Sequence, residues 1–172
     1  LKRGETLGII GESGSGKSMT ALSIMRILPA AAKVVGGEIV FNGENLLKKS
    51  ESEMRRLRGE KLSMILQDPM VSLDPLFTVG SQLAEPLRVH RGLGGTALKD
   101  RMTELMSAVS IPSPELRLRQ YPHQMSGGML QRIVGAIAIS CDPQLLIADE
   151  PTTALDPTVQ AQFLDLLESL RD

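Results

Sequence analysis

Apolar positions follow two rhythms along this chain. Short, nearly continuous apolar runs bounded by glycine or polar turns read as strands: "ETLGIIG", the centre of "GGEIVFNGENL", "LSMILQ" and "QLLIADE". The first and last of these read as buried strands. Between them the spacing becomes helical. "KSMTALSIMRIL" predicts a helix stopped near Pro29. From Thr78 to about Tyr121 helix dominates, and Leu98, Met102, Leu105, Met106 and Val109 recur at i, i+4, i+7, i+8 and i+11, one amphipathic face. Pro86 interrupts "VGSQLAEPLRVHRG", while "SIPSPE" and "YPHQ" read as turns. "LQRIVGAIAIS" predicts a mostly buried helix with Gly135 as its weak point. In "DPTVQAQFLDLLESL", Asp156 is the expected N-cap and Pro157 the first helical residue. Val159, Phe163, Leu166, Leu167 and Leu170 form the buried face of that helix. The charged patch "KKSESEMRRLRGEK" reads as a solvated surface helix and loop.

Alternating strands and helices, with a glycine loop at the first turn, predict an α/β fold with a largely parallel sheet. The helical stretch 78–121 reads as a subdomain inserted into a core made of 1–77 and 122–172, and a β-segment lies near the N-terminus. At 172 residues the chain is long enough for one domain with a real core. Leu1 is not a methionine and Asp172 falls inside a helical pattern, so both ends read as cut.

"GESGSGKS", residues 11–18, matches G-x-x-x-x-G-K-[ST] after a strand-like run and before a helix. Glycines at 11, 14 and 16 let the backbone turn its N–H groups inward around phosphates, and the helix N-terminus adds a favourable dipole. This is the phosphate loop of a P-loop NTPase. Lys17 is expected to reach the β- and γ-phosphates of ATP, and the Ser18 hydroxyl to ligate Mg²⁺. The ATP-binding set is Gly11, Ser13, Gly14, Ser15, Gly16, Lys17, Ser18 and Met19. Asp149, at the tip of "LLIADE", is positioned to hold the same metal through water. Glu150 points to the other side of an extended backbone and can act as general base for an attacking water. Gln67 ends "LSMILQ", where a neutral amide can touch the metal or the water without adding charge.

A second glycine turn, Ser126-Gly127-Gly128, opens another helix and forms a further anion site. The first loop already encloses the phosphates from one side. The second turn therefore makes sense facing outward, supplied to another molecule.

Composition narrows the partners. A formal net charge of −1 argues against binding nucleic acid by phosphate neutralisation, and 2% aromatic residues with no Trp argue against base stacking. The single cysteine, Cys141, cannot form an internal disulfide and reads as a small structural residue in a reducing compartment. The most apolar stretch, "TALSIMRILPAAAKVV", is interrupted by Arg26, Pro29 and Lys33. It falls well short of the ~20 residues of a spanning helix, so the chain reads as soluble, able to dock on a membrane protein.

Taken in order, phosphate loop, glutamine segment, helical insertion, Ser-Gly-Gly turn, "LLIADE" and "ALD" resemble the nucleotide-binding domain of ABC transporters. "GESGSGKSMTALSIMRILP", "MILQDPMVSLDPLFTVG", "YPHQMSGGM" and "LLIADEPTTALD" are similar to the ATPase subunits of bacterial oligopeptide and dipeptide importers. The likeness runs from Gly4 to Leu170. It implies that two such domains pair head to tail, as homo- or heterodimer, with each ATP held between one phosphate loop and the other subunit's signature turn. Ser126, Gly127, Gly128 and Met129 then contact the γ-phosphate in trans, and Asp156 helps the two sites communicate. The resemblance also implies membrane permease subunits touching the region around Gln67, an extracellular solute-binding protein as indirect partner, and a place at the cytoplasmic face of the membrane.

Met125 stands where leucine is usual in the family, Met129 where many members have glutamine, and Leu130 where this subgroup often has arginine. Loss of a cation at 130 is expected to change the surface charge near the shared face. The family's adenine-stacking aromatic has no match here, nor has its switch histidine, since His90 and His123 both precede "LLIADE". Three readings follow: an ATPase powering import of peptides or related solutes, a non-transport ABC ATPase of DNA repair or translation, and a nucleotide-binding fragment without turnover.

Overall fold

The computed structural model describes residues 1–152 and 155–169. Helix α1 (Lys17–Met25) leaves the phosphate loop, and its end is set by backbone geometry before Pro29 is reached. Arg26 takes φ 53°, its N–H bonds to the Ser23 carbonyl at 3.1 Å, and Ile27 N–H bonds to Leu22 at 3.0 Å, a Schellman closure on a non-glycine residue. The Arg26 guanidinium offsets part of that strain by donating to the Leu46 and Lys49 carbonyls.

Strands β1 (Val40–Phe41) and β2 (Glu44–Asn45) form an antiparallel hairpin. Asn42 and Gly43, both at positive φ, turn it as the twist of a tight hairpin requires. A short 3₁₀ turn leads to α2 (Glu51–Leu57), the expected surface helix, opened by a capping box in which Ser50 and Glu53 satisfy each other's backbone N–H. Met54 on its inner face is fully buried with Met25, Leu46 and Leu62 in a satellite core.

Strand β3 (Leu62–Ile65) is followed by the short helix α3 (Pro69–Ser72). The helical segment then comprises α4 (Val79–Arg91), α5 (Gly95–Ala108) and α6 (Pro114–Arg117). Leu98, Leu105, Met106 and Val109 are buried and Met102 is partly so, as their spacing predicts. Helix α4 runs through Pro86 without a break. A 3₁₀ turn at Pro122–Gln124 precedes α7 (Gly127–Ile139), β4 (Leu145–Ala148) and α8 (Pro157–Ser169). The main core joins the helical segment to α7, Ile65 of β3 and Phe163 of α8, so these elements share one apolar interior. Arg91 of α4 and Arg101 of α5 both bond to Asp142 in the turn before β4, at 2.9 and 3.1 Å.

β3 and β4 pair in parallel, with Leu62 opposite Leu145 and Ile65 opposite Ala148. Two expectations about strands need correction. Residues 5–10 form no strand: Leu7, Ile9 and Ile10 are exposed, Ile10 at 99%. An extended segment becomes a strand only through hydrogen bonds to a neighbour, and no described strand pairs with this one. β4 is half-buried rather than buried: Leu145, Leu146 and Ile147 are half-buried and Ala148 is exposed, and β3 is the one described strand that pairs with it.

The helix that closes the described chain starts as expected. Asp156 Oδ1 accepts from Thr158 and Val159 N–H, each at 3.1 Å, with Pro157 next in line. Phe163 is buried, while Val159 and Leu167 are half-buried. The Leu166 side chain and Leu170 lie outside the described residues. Gly135 is no mere weakness in α7: a Cβ there would lie 2.6 Å from Cε2 and Cζ of Phe163, so the glycine admits that ring.

Candidate functional site

The phosphate loop is wound by local rules. Gly14 and Gly16 sit at φ 81° and 94°, where a side chain is strained, and Gly16 is the N-cap of α1. A Cβ on Gly11 would meet Ser15 Oγ at 2.6 Å, so glycine there lets the loop close on itself. Lys17, Ser18 and Met19 are the first three residues of the helix, where backbone N–H groups have no intrahelical acceptor. Lys17 Nζ folds back to the carbonyls of Gly11 at 2.7 Å and Glu12 at 3.0 Å. The loop thus holds its cation over its own concavity, in carbonyl contacts that a phosphate can replace with stronger charge-assisted ones. Ser13 and Ser15 are exposed on the rim.

A second group of residues gathers where the parallel strands end. Asp149 N–H bonds to the Ile65 carbonyl at 2.9 Å and extends the ladder one step. Gln67 and Glu150 leave from the same end of these adjacent strands, and Gln67 Nε2 donates to Glu150 Oε2 at 2.8 Å. Glu150 adopts φ 47°, an unusual backbone state for a non-glycine residue. The chain pairs Gln67 and Glu150 directly, which spacing alone could not establish. With the amide nitrogen on the carboxylate, the Gln67 carbonyl oxygen is left for another ligand. Asp149 is half-buried beside them, and its carboxylate makes no hydrogen bond or ion pair among the described residues.

The Ser-Gly-Gly turn has a different surrounding. Ser126 is the N-cap of α7, its Oγ accepting from Met129 N–H at 3.3 Å. Ser126 and Gly127 are exposed, and Gly128 and Met129 are half-buried. The turn therefore lies at the surface, with the Ser126 hydroxyl and the N–H groups of Gly127 and Gly128, which have no acceptor within the helix, at its open end. Leu130 is 2% exposed and packs into the main core. The expected change of surface charge at 130 is thus corrected: the position faces inward. Asp156 is exposed and committed through Oδ1 to capping α8.

Two residues of α7 escaped the sequence reading. Gln131 is fully buried and neither of its amide atoms has a hydrogen-bond partner among the described residues. Arg132 donates to three backbone carbonyls, those of Gly128, Val109 and Ser110. A polar pair inside the otherwise apolar "LQRIVGAIAIS" was the signal available for both. Among the described residues no group of three or more His, Cys, Asp or Glu could hold a metal by itself, and no helix is long and apolar enough to cross a membrane.

Comparison with known proteins gives this arrangement its context. The family model described as "ABC transporter" matches residues 1–153. The probable peptide ABC transporter ATP-binding protein y4tR of Sinorhizobium fredii is 55% identical over 173 residues, covering 100% of this chain and 52% of that protein. The dipeptide transport ATP-binding protein DppD of Bacillus subtilis is 52% identical over 172 residues, 99% of this chain and 51% of that protein. The chain spans about half the length of the curated relatives it matches. In three dimensions it resembles the dimeric, post-hydrolysis ATP-binding cassette MJ0796 bound to ADP and Pi, with a TM-score of 0.88 and 29% identity over 100% of this chain and 72% of that one. The α/β fold with its parallel strand pair is that of the P-loop ATPase cassettes. With the family model spanning almost all of its length, the chain belongs to the ABC transporter family.

Proposed function

We propose that this chain is the nucleotide-binding core of an ATPase subunit that energises import of peptides or related small solutes. The observation that carries this reading is the pairing of Gln67 with Glu150 at the C-terminal ends of two parallel strands, in a chain that also carries a wound phosphate loop. Ligands of α/β sheets bind at such strand ends.

The residues then take distinct roles. The amides of the 11–19 segment and the α1 N-terminus bind the phosphates of ATP. Lys17 exchanges the Gly11 and Glu12 carbonyls for the β- and γ-phosphates. Ser18, Gln67 and Asp149 offer a hydroxyl, an amide carbonyl and one carboxylate, a hard-oxygen set suited to Mg²⁺, which takes few protein ligands and shares the phosphates. When bound, the metal neutralises charge on the phosphate oxygens. Glu150 accepts a proton from the attacking water, and the Gln67 amide holds that carboxylate in place.

The exposed Ser126-to-Met129 turn is supplied to the ATP of a second ATPase subunit, identical or related. Asp156 communicates between the two sites. The core is residues 1–77 and 122–172, with 78–121 the helical subdomain. Met70, Val71, Leu76 and Phe77 are large, apolar and exposed, next to Gln67, and support docking of permease subunits there, at the cytoplasmic face of the membrane. An extracellular solute-binding protein takes part indirectly. The names of the relatives, peptide and dipeptide transport proteins, favour import over a nucleic-acid role.

The test is Glu150→Gln in the intact protein. Steady hydrolysis should be lost, ATP binding retained, and an ATP-stable dimer should form. Undiminished turnover contradicts the assignment.

A further inference from the structure

Helix α5 ends without a cation of its own. Its last turn contains no basic residue, although the carbonyls there carry the negative end of the helix dipole. Ser110 closes the helix at φ 56°, with Ser110 N–H on the Ser107 carbonyl and Ile111 N–H on the Met106 carbonyl, both at 2.9 Å. That closure leaves the Val109 and Ser110 carbonyls pointing onward. Arg132 Nη1 takes both, at 3.3 and 2.6 Å. From the same guanidinium, Nε reaches back along α7 to the Gly128 carbonyl at 3.3 Å.

One planar fork thus joins the end of α5 to the first turn of α7, the turn that carries Ser126, Gly127 and Gly128. Arginine suits this task and lysine does not, because separate N–H groups must aim at carbonyls on two helices. Burial pushes the Arg132 guanidinium below its ordinary value, and the Asp156 carboxylate acts against that shift by favouring the charged form. Asp156 is itself fixed at the start of α8.

We infer that Arg132 is a positioning residue for the nucleotide shared between subunits, fixing the Ser126–Met129 turn to the end of α5. The inference rests on the head-to-tail reading of the previous section. Its consequence is that the segment offered to a partner's ATP, the Ser-Gly-Gly turn, is held in one arrangement before the partner arrives. Preorganisation of this kind strengthens association without adding a contact.

The test uses the intact protein carrying Glu150→Gln, with Arg132→Lys and Arg132→Gln added separately. ATP-driven dimerisation is measured by analytical ultracentrifugation and monomer affinity by a fluorescent ATP analogue. The charge-keeping lysine variant should dimerise ~10-fold more weakly than its parent, and the glutamine variant more weakly still, the loss expected of charge-assisted hydrogen bonds. Nucleotide affinity of the monomer should stay within about 2-fold, since Arg132 touches no residue of the phosphate loop. Hydrogen exchange on the parent needs no variant at position 132: ATP should slow exchange at 109–111 together with 126–130. Unchanged dimerisation in both variants, loss of nucleotide binding in step with dimerisation, or protection of 126–130 alone would each overturn the inference. Failure of the parent to dimerise with ATP would instead sink the head-to-tail reading itself.

Discussion

Replacing Gly135 by alanine adds one methyl group where α7 meets Phe163 of α8. The new Cβ would lie 2.6 Å from Cε2 and Cζ of Phe163, about 1 Å inside the ~3.5–4.0 Å at which carbon atoms pack comfortably. The ring has no free space to swing into, because Phe163 is 2% exposed and packed in the main core. Either the ring leaves its rotamer or α8 moves outward, an overpacking cost of about 1–3 kcal/mol. Alanine returns up to ~1 kcal/mol through helix propensity. The balance is a net loss of roughly 1 kcal/mol, or about 2–4 °C in melting temperature for a domain of this size.

Thermal unfolding of the parent and Gly135→Ala measures it directly. Gly127→Ala is the control, since its Cβ would meet nothing within 4 Å. A second change, Phe163→Leu, should cost stability in the parent but much less in the alanine variant, a coupling that a double-mutant cycle reads. If Gly135→Ala raises the melting temperature as helix propensity alone demands, the α7–α8 contact is not as described. The effect should reach function, because α8 begins at Asp156.

Other outcomes follow from individual contacts. Gln67→Ala removes the 2.8 Å bond to Glu150 and should lower turnover roughly 10²-fold by leaving the carboxylate unplaced, with ATP affinity preserved; steady-state kinetics beside equilibrium binding separates the two. Gln131→Leu removes a buried amide whose nitrogen and oxygen both lack partners among the described residues, and should be neutral or stabilising by up to ~1–3 kcal/mol in a denaturant titration. Glu51 is held below its ordinary value of 4.5 chiefly by its hydrogen bond from Arg58, and Glu53 chiefly by that from Ser50. Groups with lowered folded values stabilise above the unfolded value and lose that contribution as pH falls through the folded one. Protection of α2 amides from hydrogen exchange should therefore be constant above about pH 5 and decline below it.

Local chemistry explains which parts of this account were legible in the sequence. The phosphate loop is specified by its glycines, two of which sit at positive φ, and the Asp156-Pro157 helix start by capping rules that act over three residues. The amphipathic face of α5 follows from its period. What failed depends on distant partners. "ETLGIIG" has the apolar character of a strand, yet pairing decides strand identity and no described strand pairs with it. Leu130 looked like an exposed departure because a family pattern was compared position by position, whereas the direction of α7 places it in the core. Gly135 looked like a defect because propensity is local and Phe163 is 28 residues further along. The Gln67–Glu150 bond and the Arg132 fork each span long separations that no periodicity encodes. Their members were visible as polar residues beside apolar runs, but their partners were not.

Mixing two inactive subunits tests the central claim most directly. Lys17→Ala disables the phosphate loop and Ser126→Arg blocks the signature turn, each in the intact protein carrying Glu150→Gln so that bound ATP stays occluded. In a head-to-tail pair of one variant with the other, both defects fall in one site and the second site is wholly intact. Occluded ATP, absent from either variant alone, should therefore reappear when the two are mixed. If mixing restores nothing while the unmodified Glu150→Gln protein occludes ATP, the Ser-Gly-Gly turn serves the phosphate loop of its own chain, and the shared-site account is wrong.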